Sequence, residues 1–163
     1  MRLDRLRLLC CLVVLTASCG TDAGSNELSD APAGTTELPP QGDAAVRAWI
    51  STGHYLGWAC EPAPHAARPP GAHGMNRVCS NALLSGSSTG EFPVGAASVK
   101  ELHNSSGITG YAVAIKVAAG TARTSWYWYE VIGTNVVVDS AGASLCTGCH
   151  DDAPRDFVFT RVE

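Results

Sequence analysis

Cys146-Thr147-Gly148-Cys149-His150 gathers two thiols and an imidazole into five consecutive positions of a 163-residue chain. Positions i, i+3 and i+4 share one face of a helix, so this run is expected to form a helical turn presenting all three groups to one side. At this spacing the pattern is the attachment signature of a c-type haem. Cys146 and Cys149 would form thioethers to the two haem vinyl groups, while His150 turns under the iron as proximal ligand. One covalent haem c per chain is the expectation. Two other readings use the same residues. Cys146 and Cys149 suit a redox disulfide of the thioredoxin type, with His150 incidental. They also suit half of a zinc site, but the chain has no second Cys-x-x-Cys or His-x-x-x-His cluster to complete it.

The other end of the sequence indicates where such chemistry takes place. Arg2, Arg5 and Arg7 precede an apolar stretch from Leu8 to Leu15, followed by the small residues Ala17 and Ser18. That is the order of a bacterial export signal, and the apolar stretch is too short for a stable membrane span. Leu15-Thr16-Ala17-Ser18-Cys19-Gly20 resembles a bacterial lipobox, which implies cleavage after Ser18 and lipidation of Cys19. An ordinary secreted protein is the other reading. Either route fits covalent haem, which bacteria attach outside the cytoplasm. The expected location is the bacterial cell envelope, lipid-anchored and facing the periplasm or the cell exterior. Gly20 stands where many inner-membrane lipoproteins carry Asp, which favours the outer membrane. Residues 20–42 are rich in Gly, Ser, Thr, Asp, Ala and Pro; they bury too little surface to offset ordering entropy and are expected to form a flexible tether. The expected organisation is a signal peptide over 1–18, a lipid-anchored tether over 19–42 and one folded domain over 43–163.

Seven cysteines then sort by position. Cys10 and Cys11 leave with the signal, Cys19 takes lipid, and Cys146 with Cys149 take haem. Cys60 and Cys79 remain in an oxidising compartment, where a disulfide between them is expected. It would close a loop containing Pro62, Pro64, Pro69, Pro70, Gly71 and Gly74. Two separate buried thiols are the alternative. Without the signal, eight basic residues face fourteen acidic ones, a net charge of −6. That balance argues against nucleic acid or anionic headgroups as partners and leaves room for a basic periplasmic redox partner.

Within the domain, Asp43 reads as the N-cap of a helix over 44–51 whose stripe is Val46, Trp49 and Ile50. Residues 77–80 read as a short strand, followed by a turn of helix near Asn81–Leu84. From Gly95 to His103, Ala97, Val99 and Glu101 alternate with Ser98, Lys100 and Leu102. Asn104-Ser105-Ser106-Gly107 reads as a hairpin turn. The next strand runs from Ile108 to Ala118, with Tyr111, Val113, Ile115 and Val117 opposite Ala112, Ala114 and Lys116. Another covers Ser125 to Ile132, and its Trp126–Tyr129 run reads as core packing. The helix carrying Cys146 and His150 is expected to end before Pro154, and residues 156–160 to close the chain as a strand. The expected class is α+β: a small antiparallel β-sheet with a short N-terminal helix and a C-terminal haem-attachment helix.

Several of these segments carry a resemblance. Phe92-Pro93-Val94-Gly95 through Val99-Lys100-Glu101-Leu102, Gly110–Lys116, Trp126–Glu130 and the haem run with Asp156-Phe157-Val158-Phe159-Thr160 together resemble the cytochrome P-460 family. The segment His73-Gly74-Met75-Asn76-Arg77-Val78-Cys79-Ser80-Asn81 is similar to that family's early strand. The resemblance spans about residues 49–162. It implies an antiparallel sheet packed over a five-coordinate c-type haem, commonly in a homodimer. The related cytochrome c′-beta proteins bind nitric oxide. In cytochrome P-460 proper, which oxidises hydroxylamine, the lysine matching Lys100 forms a further covalent bond to the porphyrin. Read without the family, Lys100 is a solvated strand lysine.

One departure bears on activity. Active members carry a distal carboxylate as proton acceptor, and the matching position here is Ala112. No acidic residue occurs between Glu101 and Glu130. Ala112 and Ala114 imply a tight, dry pocket over the iron, better suited to a diatomic gas than to proton-coupled oxidation. The expected function is therefore binding or transformation of nitric oxide or related small nitrogen species. Hydroxylamine oxidation with a Lys100–haem link and simple electron transfer are the alternatives. Met75, His54, His65, His73 and His103 are each formal candidates for a sixth iron ligand, but read more simply as ordinary loop or surface residues. The second ring nitrogen of His150 needs an acceptor, for which Asp151, Asp152 or a backbone carbonyl are candidates.

Overall fold

Alternation at a two-residue period over 97–103, 108–116 and 126–132 demands strands with two chemically different faces. The computed structural model describes residues 38–69 and 71–163, which belong to one compact unit. The expected signal peptide, Cys19 and most of the expected tether lie outside the described residues. Residues 38–42, the end of that tether, pack against the domain: Pro39 is buried and the Gly42 N–H donates to the Tyr127 hydroxyl.

Six strands form one antiparallel sheet: β1 (Ala59–Cys60), β2 (Met75–Ser80), β3 (Ala97–Asn104), β4 (Gly107–Lys116), β5 (Trp126–Ile132) and β6 (Asn135–Ala141). Their spatial order follows the chain, β1 to β6, so the sheet is a meander. With α1 (Asp43–Ser51), α2 (Ala82–Ser85) and α3 (Ser144–His150), the class is α+β. Tight hairpins set the register, pairing Asn104 with Gly107 and Ile132 with Asn135. Gly110 has a steric reason. A Cβ at that position would lie 2.1 Å from the Val131 carbonyl oxygen, beside a register shift between Glu130 and Val131.

The two faces bury different cores. Val46, Trp49 and Ile50 of α1 pack with Tyr55 on Val99, Val113, Ile115, Tyr127 and Tyr129. Trp126, Trp128 and Val138 face the other way and pack with Leu84, Phe92 and Phe157. Asp43 does not cap α1. Gly42 occupies that position, while the Asp43 carboxylate accepts from Arg47 Nε and from the Tyr129 hydroxyl (both 2.6 Å), holding the helix on the sheet. Asn81 does cap α2: its side chain accepts from the Leu84 N–H at 3.0 Å.

Three elements differ from the sequence reading. β1 and β6 were not anticipated, because β1 is two residues long and β6 carries its apolar residues as the unalternated run Val136–Val138. Residues 156–160 are not a strand; they begin with a tight reversal at Asp156–Phe157 joined by an Arg155–Val158 bridge.

Cys60 and Cys79 are register partners on β1 and β2 and are joined by a disulfide. It closes the loop over 61–78, whose unfolded entropy it restricts. Replacing both by alanine is expected to cost about 3 kcal/mol in denaturant unfolding, and reductant should destabilise the unaltered protein by a similar amount.

Candidate functional site

The chain turns from β6 into α3 at Ala143, whose carbonyl accepts from the N–H groups of Cys146 and Thr147. Thr147 points inward and is fully buried, so the i, i+3, i+4 face bearing Cys146, Cys149 and His150 looks out beside the sheet. All three line a cavity of about 340 Å³, as do Lys100 and Glu130. Cys146 and Cys149 are free thiols. Burial, with Glu130 and then Cys149 adding negative potential, pushes the Cys146 thiol up to about 11.

His150 is held by one bond and three rings. Its Nδ1–H donates to the Phe157 carbonyl at 2.6 Å. A carbonyl only accepts, so the proton belongs on Nδ1 and the Nε2 lone pair is left free. Trp128 lies 4.5 Å from the imidazole centroid to centroid, Phe159 5.4 Å and His73 6.5 Å. Burial lowers the His150 pKa, with the Phe157 carbonyl opposing and the Lys100 charge assisting, so the ring favours its neutral form. Asp151 and Asp152 are not its acceptors; Asp151 pairs with Arg123. The carbonyl that serves comes from a costly turn. Asp156 (φ 39°) and Phe157 (φ 64°) are consecutive non-glycine residues at positive φ, a conformation costing about 1–2 kcal/mol per residue.

Lys100 and Glu130 reach the cavity from the two ends of one cross-strand row of the sheet. Lys100 pairs with Ala112, and Ala112 with Glu130. Burial lowers the Lys100 pKa even though Glu130 opposes the shift. Burial raises the Glu130 pKa, with Lys100 opposing. His73 enters from the loop before β2. Its Nδ1 is 3.6 Å from Glu130 Oε2, too long for a hydrogen bond. Burial, then the charges of Lys100 and His150, push His73 down to about 4, so the contact joins a neutral ring to a carboxyl rather than two ions.

The pocket that Ala112 and Ala114 line is small, about 50 Å³, but the expectation that it is apolar is corrected. Ala112 and Ala114 do face this side, but Lys100, Glu130 and His73 surround them. Glu130 is the residue that sequence reasoning overlooked, because the search for a carboxylate stopped one strand short. Parity already held the signal: Glu130 alternates in step with Trp126 and Trp128. Met75 is exposed and His54 lies on the far side with Trp49. His103 bonds Glu101, while His65 bonds Glu61 and lines the cavity, as does His73, whose ring lies 6.5 Å from that of His150. Trp128 Nε1 and Thr147 Oγ1 are buried without a hydrogen-bond partner among the described residues. No family model, no curated protein and no solved structure matches the chain.

The loop roofing the cavity is fastened by Glu61. Its carboxylate accepts from the Val78 N–H (2.8 Å) and His65 Nε2 (2.9 Å) and pairs with Arg68 Nη1 (2.6 Å), and Arg68 lines the cavity. Burial alone would raise the Glu61 pKa, but Val78, Arg68 and His65 outweigh it and hold the group below its ordinary value of 4.5. With a lowered folded pKa, this stabilisation is complete above the ordinary value and is lost as pH falls through the folded one. Glu61→Gln is therefore expected to cost about 1–3 kcal/mol at pH 7. The variant should also lose less further stability than the unaltered protein when urea unfolding is repeated at pH 3.

Proposed function

We propose that the chain is a c-type haem protein of the cytochrome P-460 kind. In this reading it is exported to the bacterial cell envelope, anchored through Cys19, and binds or transforms nitric oxide or related small nitrogen species at an open iron site. The observation that carries the reading is the bond from His150 Nδ1 to the Phe157 carbonyl, which leaves Nε2 as a neutral donor beside two free thiols. The donor set suits haem c: Cys146 and Cys149 for the thioethers, His150 for the iron. Arg68 stands at the same cavity as a cation for propionates. A buried indole N–H without a partner, Trp128 Nε1, also fits a site completed by another group. The elevated Cys146 pKa speaks against the thioredoxin-type alternative, which relies on a thiol lowered towards neutrality.

When bound, haem supplies an iron that accepts a small ligand and exchanges electrons with it. The chain's own residues determine what accompanies that exchange. Burial moves Lys100 towards its neutral amine, the form able to make the additional bond that the family resemblance implies. Glu130 favours hydroxylamine oxidation as a second reading. Its raised pKa makes it a stronger proton acceptor for N–H or O–H groups, and it occupies the cavity where the sequence reading found no carboxylate.

Intact-mass measurement of mature protein, from a host with haem-attachment machinery, is expected to show lipid, one haem and one disulfide. Protein without covalent haem overturns the proposal. Glu130→Gln is expected to lower hydroxylamine oxidation by about 100- to 10,000-fold while nitric oxide binding persists. Absence of turnover in the unaltered protein would leave the gas-binding reading. A resting low-spin spectrum that His73→Ala converts to high-spin would instead assign an electron carrier.

A further inference from the structure

Lys116 ends β4 with its side chain wholly buried. A buried ammonium persists where its donors are matched. Nζ donates to Asp156 Oδ2 (2.8 Å) and Oδ1 (2.9 Å), to the Gly120 carbonyl (2.6 Å) and to Ser125 Oγ (3.2 Å). The Asp156 side chain is 2% exposed and accepts two further bonds. The Phe92 N–H donates to Oδ2 at 2.8 Å and Trp126 Nε1–H to Oδ1 at 3.1 Å. Neither member of the pair lines the cavity.

What the carboxylate holds is the reversal at Asp156–Phe157. Two central residues at positive φ, closed by the Val158 N–H donating to the Arg155 carbonyl at 2.8 Å, have the sign of a type I′ turn. Such turns favour Asn-Gly; an aspartate tolerates the first position, but a phenylalanine is poorly suited to the second. The turn persists because the Asp156 side chain is fixed by the pair and the Phe157 ring is buried in the core beneath α3. Its Phe157 carbonyl receives His150 Nδ1–H. We propose that the Lys116–Asp156 pair is a positioning device for His150, acting through the Phe157 carbonyl. This rests on the reading of His150 as the iron's proximal ligand.

The test uses full-length, haem-loaded protein and the double variant Lys116→Met/Asp156→Asn, which removes both charges together and keeps an amide oxygen for one of the two donors, Phe92 N–H or Trp126 Nε1–H. In resonance Raman spectra of the ferrous protein, the iron–histidine stretch is expected to move to lower frequency, because the bond to Nδ1 weakens. Glu101→Gln serves as the comparison. It disturbs a buried group bonded to Tyr55 and Arg77 on the opposite sheet face, and should reduce stability without moving the band. An unmoved band in the double variant, or an equal movement in Glu101→Gln, overturns the proposal. If mass measurement finds no haem on the unaltered chain, the functional reading has failed separately. Nitrogen NMR of the His150 ring then decides the positioning claim: an Nδ1–H tautomer that becomes mixed in the double variant supports it, and the same tautomer in both overturns it.

Discussion

The register of the meander is the constraint on which the rest depends. A strand sends alternate side chains to opposite faces, so a slip of one residue would exchange the strand residues that line the cavity. In place of Lys100 it would present Val99 or Glu101, and in place of Glu130 it would present Tyr129 or Val131. Two tight hairpins and the close approach at Gly110 oppose that slip. The result is a row, Lys100–Ala112–Glu130, whose small middle residue leaves room between two ionisable ones.

The sheet buries an apolar core on one face and presents a cavity lined by ionisable groups on the other. Against α1 it buries Val99, Val113, Ile115 and two tyrosines, whose hydroxyls find Asp43 and Asp139. That side also includes the Cys60–Cys79 bridge. Beneath α3 the same strands present tryptophans, a buried lysine and an open cavity. The least comfortable backbone, at Asp156–Phe157, lies on this second side, where its carbonyl meets His150. Local strain held by a saturated buried pair is what a preorganised site requires.

Much of this was legible from pattern alone. The alternation over 97–103, 108–116 and 126–132 marked three long strands, and Asn104–Gly107 marked their first hairpin. The spacing of Cys146, Cys149 and His150 marked α3. Other features resisted for physical reasons. β6 lacks alternation, and β1 is too short to carry a period. Asp156–Phe157 contains no turn residue that advertises positive φ at both positions, so it read as a strand. Lys116 read only as a member of the Ala112 and Ala114 strand face, since nothing in its neighbourhood of sequence announces an aspartate forty residues away.

The sequence by itself determined the strand parity and the shared helical face of two thiols and an imidazole, and it raised the Cys60–Cys79 pairing as an expectation that the structure decided. Those depend on local periodicity and on counting. Only the tertiary structure decided that Glu130 joins Lys100, that His73 reaches over to them, and that a buried ion pair stands behind the carbonyl on His150. These depend on inter-strand register, on the path of a loop and on a strained turn. Each is a long-range arrangement, selected by burial and hydrogen-bond matching rather than by neighbouring residues.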